Sequence, residues 1–370
     1  MGGGIAGCMS AIALLRNGFK VTMLEQREGW APRVFGSFMN AEAAFSLDYM
    51  GLLEPAFQAG AVKVPTVRLV MPDGSGSTIS TLQQGHTAIT IPRRSLVELL
   101  RNAVITAGGT VLMGVRGQRY SRTGNGDWQV DVVPSTASPA VPPSPFLFLA
   151  DGRYSIGAAG PAKGGGWFGW EANFSGVDQK PGEISMHFFP GGYLGAQTYL
   201  NGDSNMGGII WSPGRSPGRW DDQWAQALAR HPGLAELFRN AKRVEDWRGV
   251  GPMPYTARMR EAGGAIPVGD SAGVNDPFMG EGLGRALAVG PLLDSCLKSF
   301  GPADFSHGDL RARFMARWQR GYEPRFRLAR PFRYTLRTPL LFNTAGRFLF
   351  NSPRLLDSLT PLIHGPRLNA

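Results

Sequence analysis

The chain has 370 residues, of which 43% are hydrophobic and 18% are charged, and this composition is ordinary for a globular enzyme. Two cysteines, Cys8 and Cys296, are too few for a disulfide framework. The sequence contains no apolar run of about 18 residues, so it predicts no membrane-spanning helix. The first residues also lack the basic and apolar segments of a secretory signal. We therefore expect a cytoplasmic protein of about two domains.

The net charge of +10 lies entirely in the last part of the chain. Residues 311–370 contain 12 arginines, no lysine and two acidic residues. The residues before them contain 26 basic and 26 acidic side chains and are formally neutral. A neutral body without a recognition motif argues against nucleic acid as a partner.

A glycine-rich turn opens the chain. Gly2, Gly4 and Gly7 have the G-x-G-x-x-G spacing of a dinucleotide-binding turn. Such a turn needs glycine for the tight bend, for close approach to a pyrophosphate and for close packing of helix on strand. Residues 8–16 are mostly small or apolar and predict a helix whose first amides face the phosphates. The predicted contacts in the turn are Gly2, Gly4, Ile5, Ala6 and Gly7.

The next predicted element is the strand Phe19–Leu24, which leads to Glu25. Glu25 lies 18 residues beyond Gly7, and a carboxylate at this place accepts hydrogen bonds from the ribose diol of a dinucleotide. A turn of this kind normally follows a buried central strand, yet only Met1 precedes it. Because the neighbouring strands would then keep unpaired backbone groups, we hypothesise that the sequence is truncated and that the first strand is missing.

Two further motifs follow apolar strands. The predicted strand Phe146–Leu149 leads to Asp151, and the predicted strand Ala265–Val268 leads to Asp270, whose carboxylate can bind the hydroxyls of a ribityl chain. Residues 276–284 then contain a proline turn and glycines that open a helix predicted to run to about residue 300. Free amides at such a helix start can stabilise negative charge on a reduced flavin ring. The predicted contacts in this turn are Pro277, Gly280 and Gly282.

The three motifs together resemble those of the flavoprotein superfamily that contains aromatic hydroxylases, geranylgeranyl reductases and flavin-dependent halogenases. These proteins share GxGxxG with a following acid, then DG, then GD with P-x-x-G-x-G, and this chain has all of them in order. The resemblance implies that the bound dinucleotide is FAD. The further FAD contacts that it implies are Asp151, Arg93 in a segment like the family's R-x-x-L, Arg33 in a loop that crosses the flavin, and a backbone group of Val115 beside the adenine.

The resemblance also implies the fold. It predicts an α/β protein with a Rossmann-like FAD-binding domain of the glutathione-reductase type, an inserted, mostly antiparallel β substrate domain, and C-terminal helices. The predicted domains are an FAD-binding domain of residues 1–65, 86–155 and 250–300, a substrate domain of residues 66–85 and 156–249, and a basic helical region of residues 301–370. No second GxGxxG is present, and NAD(P)H would bind transiently as the electron donor.

The implied function is that of an FAD-dependent oxidoreductase. As a monooxygenase, it would hydroxylate a hydrophobic or aromatic substrate through a flavin hydroperoxide, in a pocket that excludes water. The alternative is a reductase that saturates lipid double bonds, like the geranylgeranyl reductases. The sequence around Asp270 and the basic tail favour this alternative, whereas Gly191 stands where those enzymes carry a lysine. A degenerate flavoprotein that binds a partner is a third hypothesis, motivated by the missing strand.

The sequence does not identify catalytic side chains or a metal site. The five histidines lack metal-binding spacing, and we expect His187 to be structural. The halogenase signature W-x-W-x-I-P is absent. The segments Trp167–Trp170 and Met186–Gly195 instead predict strands of the substrate domain.

In the basic tail, residues 311–370, arginines alternate with Phe, Leu, Trp and Tyr. Three hypotheses remain open. The tail could form helices that pack on the substrate domain with solvated arginines. It could lie on a membrane surface, since arginines beside large apolar side chains suit anionic headgroups, which would make the protein peripheral at the membrane and would suit a lipid substrate. It could also bind an acidic protein.

Overall fold

The computed structural model describes residues 1–29, 37–133, 141–153, 166–214, 216–256, 258–275, 281–300, 306–352 and 354–356. Three of the predicted FAD contacts, Arg33, Pro277 and Gly280, lie outside the described residues.

Strands and helices alternate along the first part of the chain, and strands dominate the middle. The strands are β1 Thr22–Glu25, β2 Phe38–Met39, β3 Val62–Val64, β4 Thr66–Val70, β5 Gly76–Ser80, β6 Ala88–Thr90, β7 Thr110–Met113, β8 Arg116–Arg122, β9 Trp128–Val133, β10 Phe148–Leu149, β11 Gly166–Ser175, β12 Ile184–Phe189, β13 Gly192–Thr198, β14 Ser204–Ser212, β15 Lys242–Arg243, β16 Arg248–Val250 and β17 Ile266–Pro267. The helices are α1 Ile5–Arg16, α2 Ala41–Tyr49, α3 Leu53–Gln58, α4 Arg93–Thr106, α5 Trp220–Arg230, α6 Pro232–Leu237, α7 Glu281–Lys298, α8 His307–Arg337, α9 Pro339–Leu341 and α10 Arg347–Phe350, with a π-helical turn at Phe342–Gly346 between the last two.

We call the part of the molecule that contains α1, α4 and α7 the α/β part. It contains two pairs of parallel strands, β1 with β7 and β10 with β17. Met1 and Gly2 lie between these pairs. The Gly2 amide donates to the Leu24 carbonyl at 2.8 Å, and the Ala150 amide donates to the Met1 carbonyl at 2.7 Å. The opening turn therefore carries backbone hydrogen bonding from one pair to the other. The hypothesis of a missing first strand stays a prediction.

The first strand begins later than the sequence predicted. The prediction was Phe19–Leu24, whereas β1 spans Thr22–Glu25. The reason is the end of α1, where Gly18 has a φ of +82° and the Phe19 amide donates to the carbonyl of Leu14 at 3.1 Å. Phe19 therefore belongs to the turn that closes the helix.

Helix α1 is buried along most of its length because other helices cover it on two sides. It packs against α7 and α4, and its residues from Ile5 to Leu14 are small or apolar apart from Ser10. Gly290 of α7 allows a close approach, since a Cβ at this position would lie 2.7 Å from Cε of Met9. This packing fixes the direction in which the N-terminus of α1 points.

The middle of the chain forms an eight-stranded sheet with the order β15-β11-β14-β13-β12-β4-β5 and with β16 beside β11. Every pairing is antiparallel except that of β12 with β4, so the mostly antiparallel sheet of the prediction is confirmed. Helices α5 and α6 cover one face through an aromatic cluster that includes Trp170, Phe174 and Trp224. Part of the other face borders a cleft. The domain boundaries stay a prediction.

Helix α8 connects the two parts of the molecule. Ser306 and Asp309 form a capping box at its start. Its first half buries Phe314 and Trp318 in the core of the α/β part, whereas Leu336 near its end is buried in a cluster with residues of the sheet. In the described part of the chain, none of the helices is both long and apolar enough to cross a membrane.

Candidate functional site

A cleft lies between the α/β part and the open face of the eight-stranded sheet. Its empty volume, counted with the open mouth, is about 1590 Å³. The predicted site residues that line the cleft are Gly4, Ile5, Ala6, Glu25, Arg93, Asp270 and Gly282. The described predicted residues that do not line it are Gly2, Gly7, Val115 and Asp151.

The three glycines of the opening turn differ in their surroundings. Gly2 has a φ of +103°, and a Cβ there would lie 2.2 Å from the carbonyl oxygen of Ala150. A Cβ at Gly7 would lie 1.9 Å from the carbonyl oxygen of Gly2. Gly4, in contrast, has no atom within 4 Å of that position and lines the cleft. The first and third glycines are thus required by packing, and the second leaves the backbone open to a ligand, as a dinucleotide turn requires.

The N-terminus of α1 is suited to an anion. Its N-cap residue, Gly4, provides no side-chain cap, and the first turn contains no acidic residue. The first amides of the helix therefore keep their positive partial charge directed at the cleft. This arrangement is typical of sites that bind a phosphate.

Helix α4 provides two arginines beside this turn. Arg93, Val97 and Arg101 line the cleft at the i, i+4, i+8 spacing of one helix face. Arg101 donates from Nε to the carbonyl oxygen of Gly3 at 2.9 Å and lies 3.5 Å from the Glu25 carboxylate. Arg93 is predicted from the sequence and Arg101 is not, although the helical spacing from Arg93 could have indicated Arg101.

Glu25 is a buried carboxylate that holds the opening turn. Its Oε2 accepts from the Gly3 amide at 2.9 Å, and its Oε1 accepts from the Arg27 amide at 3.0 Å. A carboxylate has about four acceptor positions, so further hydrogen bonds from a ribose diol are compatible with these contacts. Val115 lies next to it and donates its amide to the Glu25 carbonyl at 2.9 Å, so the predicted adenine contact would have to use the Val115 carbonyl.

Asp270 faces the cleft and is held from behind by a buried arginine. Its Oδ1 accepts from Arg285 Nη2 at 3.0 Å, and its Oδ2 lies 3.9 Å from Arg153 Nε. Arg285 is 1% exposed, also donates to the Gly273 carbonyl at 2.8 Å, and stacks on Phe326. Arg285 and Arg153 were not predicted, because their pairing with Asp270 depends on the folded backbone.

The middle and late motifs meet through Ser271. Its hydroxyl donates to Asp151 Oδ1 at 2.9 Å and accepts from the Gly152 amide at 2.9 Å. Asp151 therefore lies behind the cleft wall and positions the end of β17, while Gly152 and Asp270 reach the cleft itself.

The sheet forms the opposite wall of the cleft. The register places Glu171, Gly207, Gly195 and Met186 in one row across β11, β14, β13 and β12. We call this row the glycine trough, because its two central positions lack side chains. Apolar side chains that line the cleft beside it are Ile184, Tyr193 and Met253. The trough is therefore open at Gly207, whereas the Met186 sulfur lies against Gly195, 2.9 Å from a built Cβ there, and the border of the trough is apolar.

Polar side chains follow the other border of the glycine trough. Gln197 and Asn205 lie on adjacent strands, and Gln197 donates to Asn205 Oδ1 at 3.4 Å. Glu171 accepts from Arg248 Nε at 3.1 Å. Burial and the nearby Glu171 carboxylate raise the pKa of Tyr199, even though hydrogen bonds to Ser37 and Gln197 oppose this shift. Tyr199 is thus a neutral hydrogen-bonding group at neutral pH.

His187 of β12 lies on the other face of the sheet, beside His231 at the start of α6. The ring of His187 is 4.7 Å from that of His231, and its Nε2 is 3.0 Å from the Ser185 hydroxyl. Burial lowers the pKa of His187 to about 3, with a further contribution from His231. His187 is therefore neutral and does not line the cleft. Among the described residues, no cluster of His, Cys, Asp and Glu could hold a metal ion.

Comparison with known proteins gives matches among solved structures. No family model and no curated protein matches the sequence. PqsL of Pseudomonas aeruginosa, a probable FAD-dependent monooxygenase solved with 2-aminobenzoylacetate, is 15% identical, with 94% of this chain and 97% of that chain covered and a TM-score of 0.71. The flavin-dependent brominase Bmp2 is 17% identical, with 98% and 92% covered and a TM-score of 0.73. The halogenase PltM, solved with phloroglucinol and FAD, is 13% identical, with 92% and 77% covered and a TM-score of 0.73. The chain therefore has the fold of FAD-dependent monooxygenases and flavin-dependent halogenases.

Proposed function

We propose that this protein binds FAD and acts as an FAD-dependent monooxygenase on a hydrophobic or aromatic small molecule. The proposal rests on one observation: a continuous cleft runs from the N-terminus of α1 to the glycine trough. A flavin enzyme needs both ends in one cavity, because the cofactor must contact the substrate while the protein fixes its phosphates.

The α/β wall supports FAD as the dinucleotide. The amides of Ile5 and Ala6 and the open backbone at Gly4 would hold the pyrophosphate, with Arg93 and Arg101 as counter-charges. Glu25 would accept hydrogen bonds from the ribose, and Asp270 from the ribityl hydroxyls. Gly282, which has no atom within 4 Å of a built Cβ, would leave the start of α7 open to the flavin ring.

The sheet wall supports a planar, largely apolar substrate. The glycine trough is open at Gly207, and Met186 within the row and Met253 beside it provide adaptable apolar contacts. Gln197 and Asn205 can orient a polar substituent by hydrogen bonds. The ligands of PqsL and PltM, 2-aminobenzoylacetate and phloroglucinol, are both aromatic rings with polar substituents.

The reaction divides the work between cofactor and protein. A bound flavin that an external donor such as NAD(P)H has reduced would supply activated oxygen. The side chains of this chain would orient the substrate on the trough and exclude water from the apolar part of the cleft. Asp270, held by Arg285, would keep the cofactor in place during this step.

The first experiment tests the cofactor. The purified protein, stripped of any flavin, is titrated with FAD and with FMN, and binding is followed by the quenching of flavin fluorescence. Because α1, Glu25 and the arginines lie where the AMP half of FAD would bind, we expect FAD to bind at least about tenfold more tightly than FMN. Equal affinities would show that the α1 end does not bind a dinucleotide, and no binding of either flavin would end the proposal.

The second experiment tests the reaction class. The FAD-loaded protein is supplied with NADH or NADPH, and oxygen consumption is measured with and without a panel of phenols, anilines and indoles. Substrate-dependent oxygen uptake with a hydroxylated product supports a monooxygenase. Saturation of an isoprenoid double bond without oxygen would instead identify a reductase, and a halogenated product that requires bromide or chloride would identify a halogenase.

A further inference from the structure

The last part of α8 and the helical turns that follow it carry positive charge without acidic residues. Between residues 324 and 356 the sequence contains seven arginines and no lysine, aspartate or glutamate. We call the exposed side of residues 327–355 the arginine surface. The excess of positive charge in the chain is thus concentrated in one structural region rather than spread over the molecule.

The arginine surface also exposes large apolar side chains. The exposed fractions are 44% for Leu328, 60% for Tyr334, 72% for Leu340, 69% for Phe348 and 38% for Leu355. In the described part of the chain, ten large hydrophobic residues are exposed, and these five lie within 28 consecutive residues. Scattered exposed apolar residues are normal, whereas a cluster of this kind indicates an interaction site.

The exposed residues follow the period of a helix. In α8, Arg327, Arg330, Tyr334 and Arg337 recur three or four residues apart, and all are exposed. Leu340, Thr344, Arg347 and Phe348, and then Asn351 and Leu355, continue this exposed pattern through the helical turns that follow.

The opposite side of these helices is anchored in the protein. Leu336, Phe342 and Phe350 are buried in one apolar cluster that also contains residues of the sheet. The exposed residues of α8 and those of the helical turns after it therefore lie on the outside of the same part of the molecule. The structure presents an amphipathic pair of helical segments whose polar side is rich in arginine and whose exposed apolar side chains lie between the charges.

The charges of the arginine surface are only partly compensated. Arg347 pairs with Asp73, and Arg327 lies 3.9 Å from Glu323. Arg337 stacks on Trp211, a contact that leaves its charge in place. Arg330 and Arg354 are exposed and form no ion pair with any other described residue. The surface is thus complementary to a partner that is negatively charged and that can accept apolar side chains.

We propose that the arginine surface binds the surface of an anionic lipid bilayer. Leu340 and Phe348 would enter the boundary between headgroups and acyl chains, and the arginines beside them would contact phosphate groups. Arginines are attracted to anionic headgroups, and the exposed apolar side chains beside them add burial at the same surface. An acidic protein would use the charges but would not require exposed leucine and phenylalanine at this spacing.

Vesicle co-sedimentation of the full chain tests this proposal. The probes are vesicles of phosphatidylcholine alone and vesicles that also contain phosphatidylglycerol. We expect phosphatidylglycerol to raise the apparent affinity at least about tenfold. Added salt should reverse most of this gain, because it screens exposed charges. Equal binding to both vesicle types, or no binding to either, would overturn the proposal.

Matched variants test which residues bind. The double substitutions L340S/F348S and R330E/R354E should each abolish the preference for phosphatidylglycerol. Control variants carry the same changes elsewhere: L82S/L200S, where both leucines are 61% exposed, and R230E/R239E, where both arginines are exposed. The controls should bind vesicles like the unaltered protein. Loss of binding in the controls as well would refute the assignment.

Molar mass in solution provides the last test. Light scattering after size exclusion should give the same mass for the protein and for L340S/F348S in the absence of lipid. A dimer that dissociates in this variant would show that the surface joins two copies of the chain, and the lipid proposal would then be wrong. All these measurements are independent of flavin binding, which is assayed separately.

Discussion

Gly4 and Gly282 stand at the two ends of the proposed FAD site, and neither is required by packing. A built Cβ meets no atom within 4 Å at either position, and both residues line the cleft. Gly2 and Gly7 differ, because a Cβ at each would collide with backbone at 2.2 Å and 1.9 Å. Substitutions at the first pair therefore test function, whereas substitutions at the second pair test the fold.

The substitution Gly4→Ala should weaken FAD binding at least about tenfold, because the methyl group would occupy the space through which the pyrophosphate approaches the backbone. The melting temperature without cofactor should change by less than about 4 °C, since alanine at this position meets no atom and only a modest helix-capping preference is lost. Flavin fluorescence and thermal unfolding measure the two effects.

Gly124→Ala is the matched control, since a Cβ there also meets no atom and Gly124 lies outside the cleft. It should leave both the FAD affinity and the melting temperature nearly unchanged. If Gly4→Ala bound FAD like the control, the N-terminus of α1 would not be the pyrophosphate site.

At the scale of elements, helices α2, α7 and α8 are joined by a buried charge cluster. Arg325 of α8 donates to Glu42 of α2 from two nitrogens, at 2.8 Å and 3.2 Å, and lies 3.7 Å from Glu281 of α7. Tyr322 also donates to Glu42, at 3.0 Å. Burial raises the pKa of Glu281, although Arg325 and Arg285 oppose this effect. The start of α7, where the flavin ring is proposed to bind, is therefore positioned by α8.

The substitution Arg325→Met should lower the free energy of unfolding by about 3–5 kcal/mol, because it leaves buried carboxylates without their cation. When folding raises the pKa of a carboxyl group such as that of Glu281, the folded state is favoured where the carboxyl is protonated. The folded state then loses this stability as the pH rises through the raised pKa. Removing Arg325 should raise the pKa of Glu281 further, so the loss should be larger at about pH 8 than at about pH 5. Urea unfolding at both pH values measures the difference.

Arg327→Met is the control on the same helix. Arg327 is exposed, and its ion pair with Glu323 is long, at 3.9 Å. It should change the stability by less than about 1 kcal/mol at either pH. An equal loss for Arg325→Met at both pH values would contradict the role assigned to the carboxylates.

Local elements could be predicted from the sequence, whereas the contacts between them could not. The glycine spacing and the apolar run after it predict α1, and the apolar segment Trp167–Trp170 predicts part of β11, because both signals lie within a few residues. Arg325 and Glu42 are separated by 283 residues, and no local pattern relates them. The same holds for Arg285 behind Asp270, since an arginine in an apolar helix has no partner until the backbone is folded.

At the scale of the whole molecule, the cleft has two walls, for which we propose separate roles. The wall formed by α1, α4 and α7 carries the motifs that the sequence revealed. The sheet wall carries the glycine trough, which depends on the register of the four strands β11, β14, β13 and β12. Gly195 and Gly207 lie opposite each other only in that register. The proposed cofactor half of the site could therefore be predicted from the sequence, whereas the proposed substrate half could not.

This division predicts that the two binding functions can be separated. A Cβ at Gly207 would lie 3.5 Å from Cβ of Glu171, an ordinary contact, so the sheet should accept a side chain there. Gly207→Val would fill the trough with a branched side chain that suits a strand. The affinity for FAD should stay within about twofold, because Gly207 lies on the other wall. The affinity for aromatic probes should fall about tenfold or more, since added methyl groups in a small pocket have effects of this size.

Phenol and aniline serve as the probes, and the change that they cause in the absorbance of the bound flavin measures their affinity. Thr78→Val introduces the same side chain at an exposed position of the same sheet and should leave both affinities unchanged. Weaker binding of FAD and probes alike in Gly207→Val would mean that the walls are coupled. Unchanged probe binding would mean that the substrate does not lie on the trough, while the proposal for FAD would stand. Loss of probe binding alone is the result that two separate walls require.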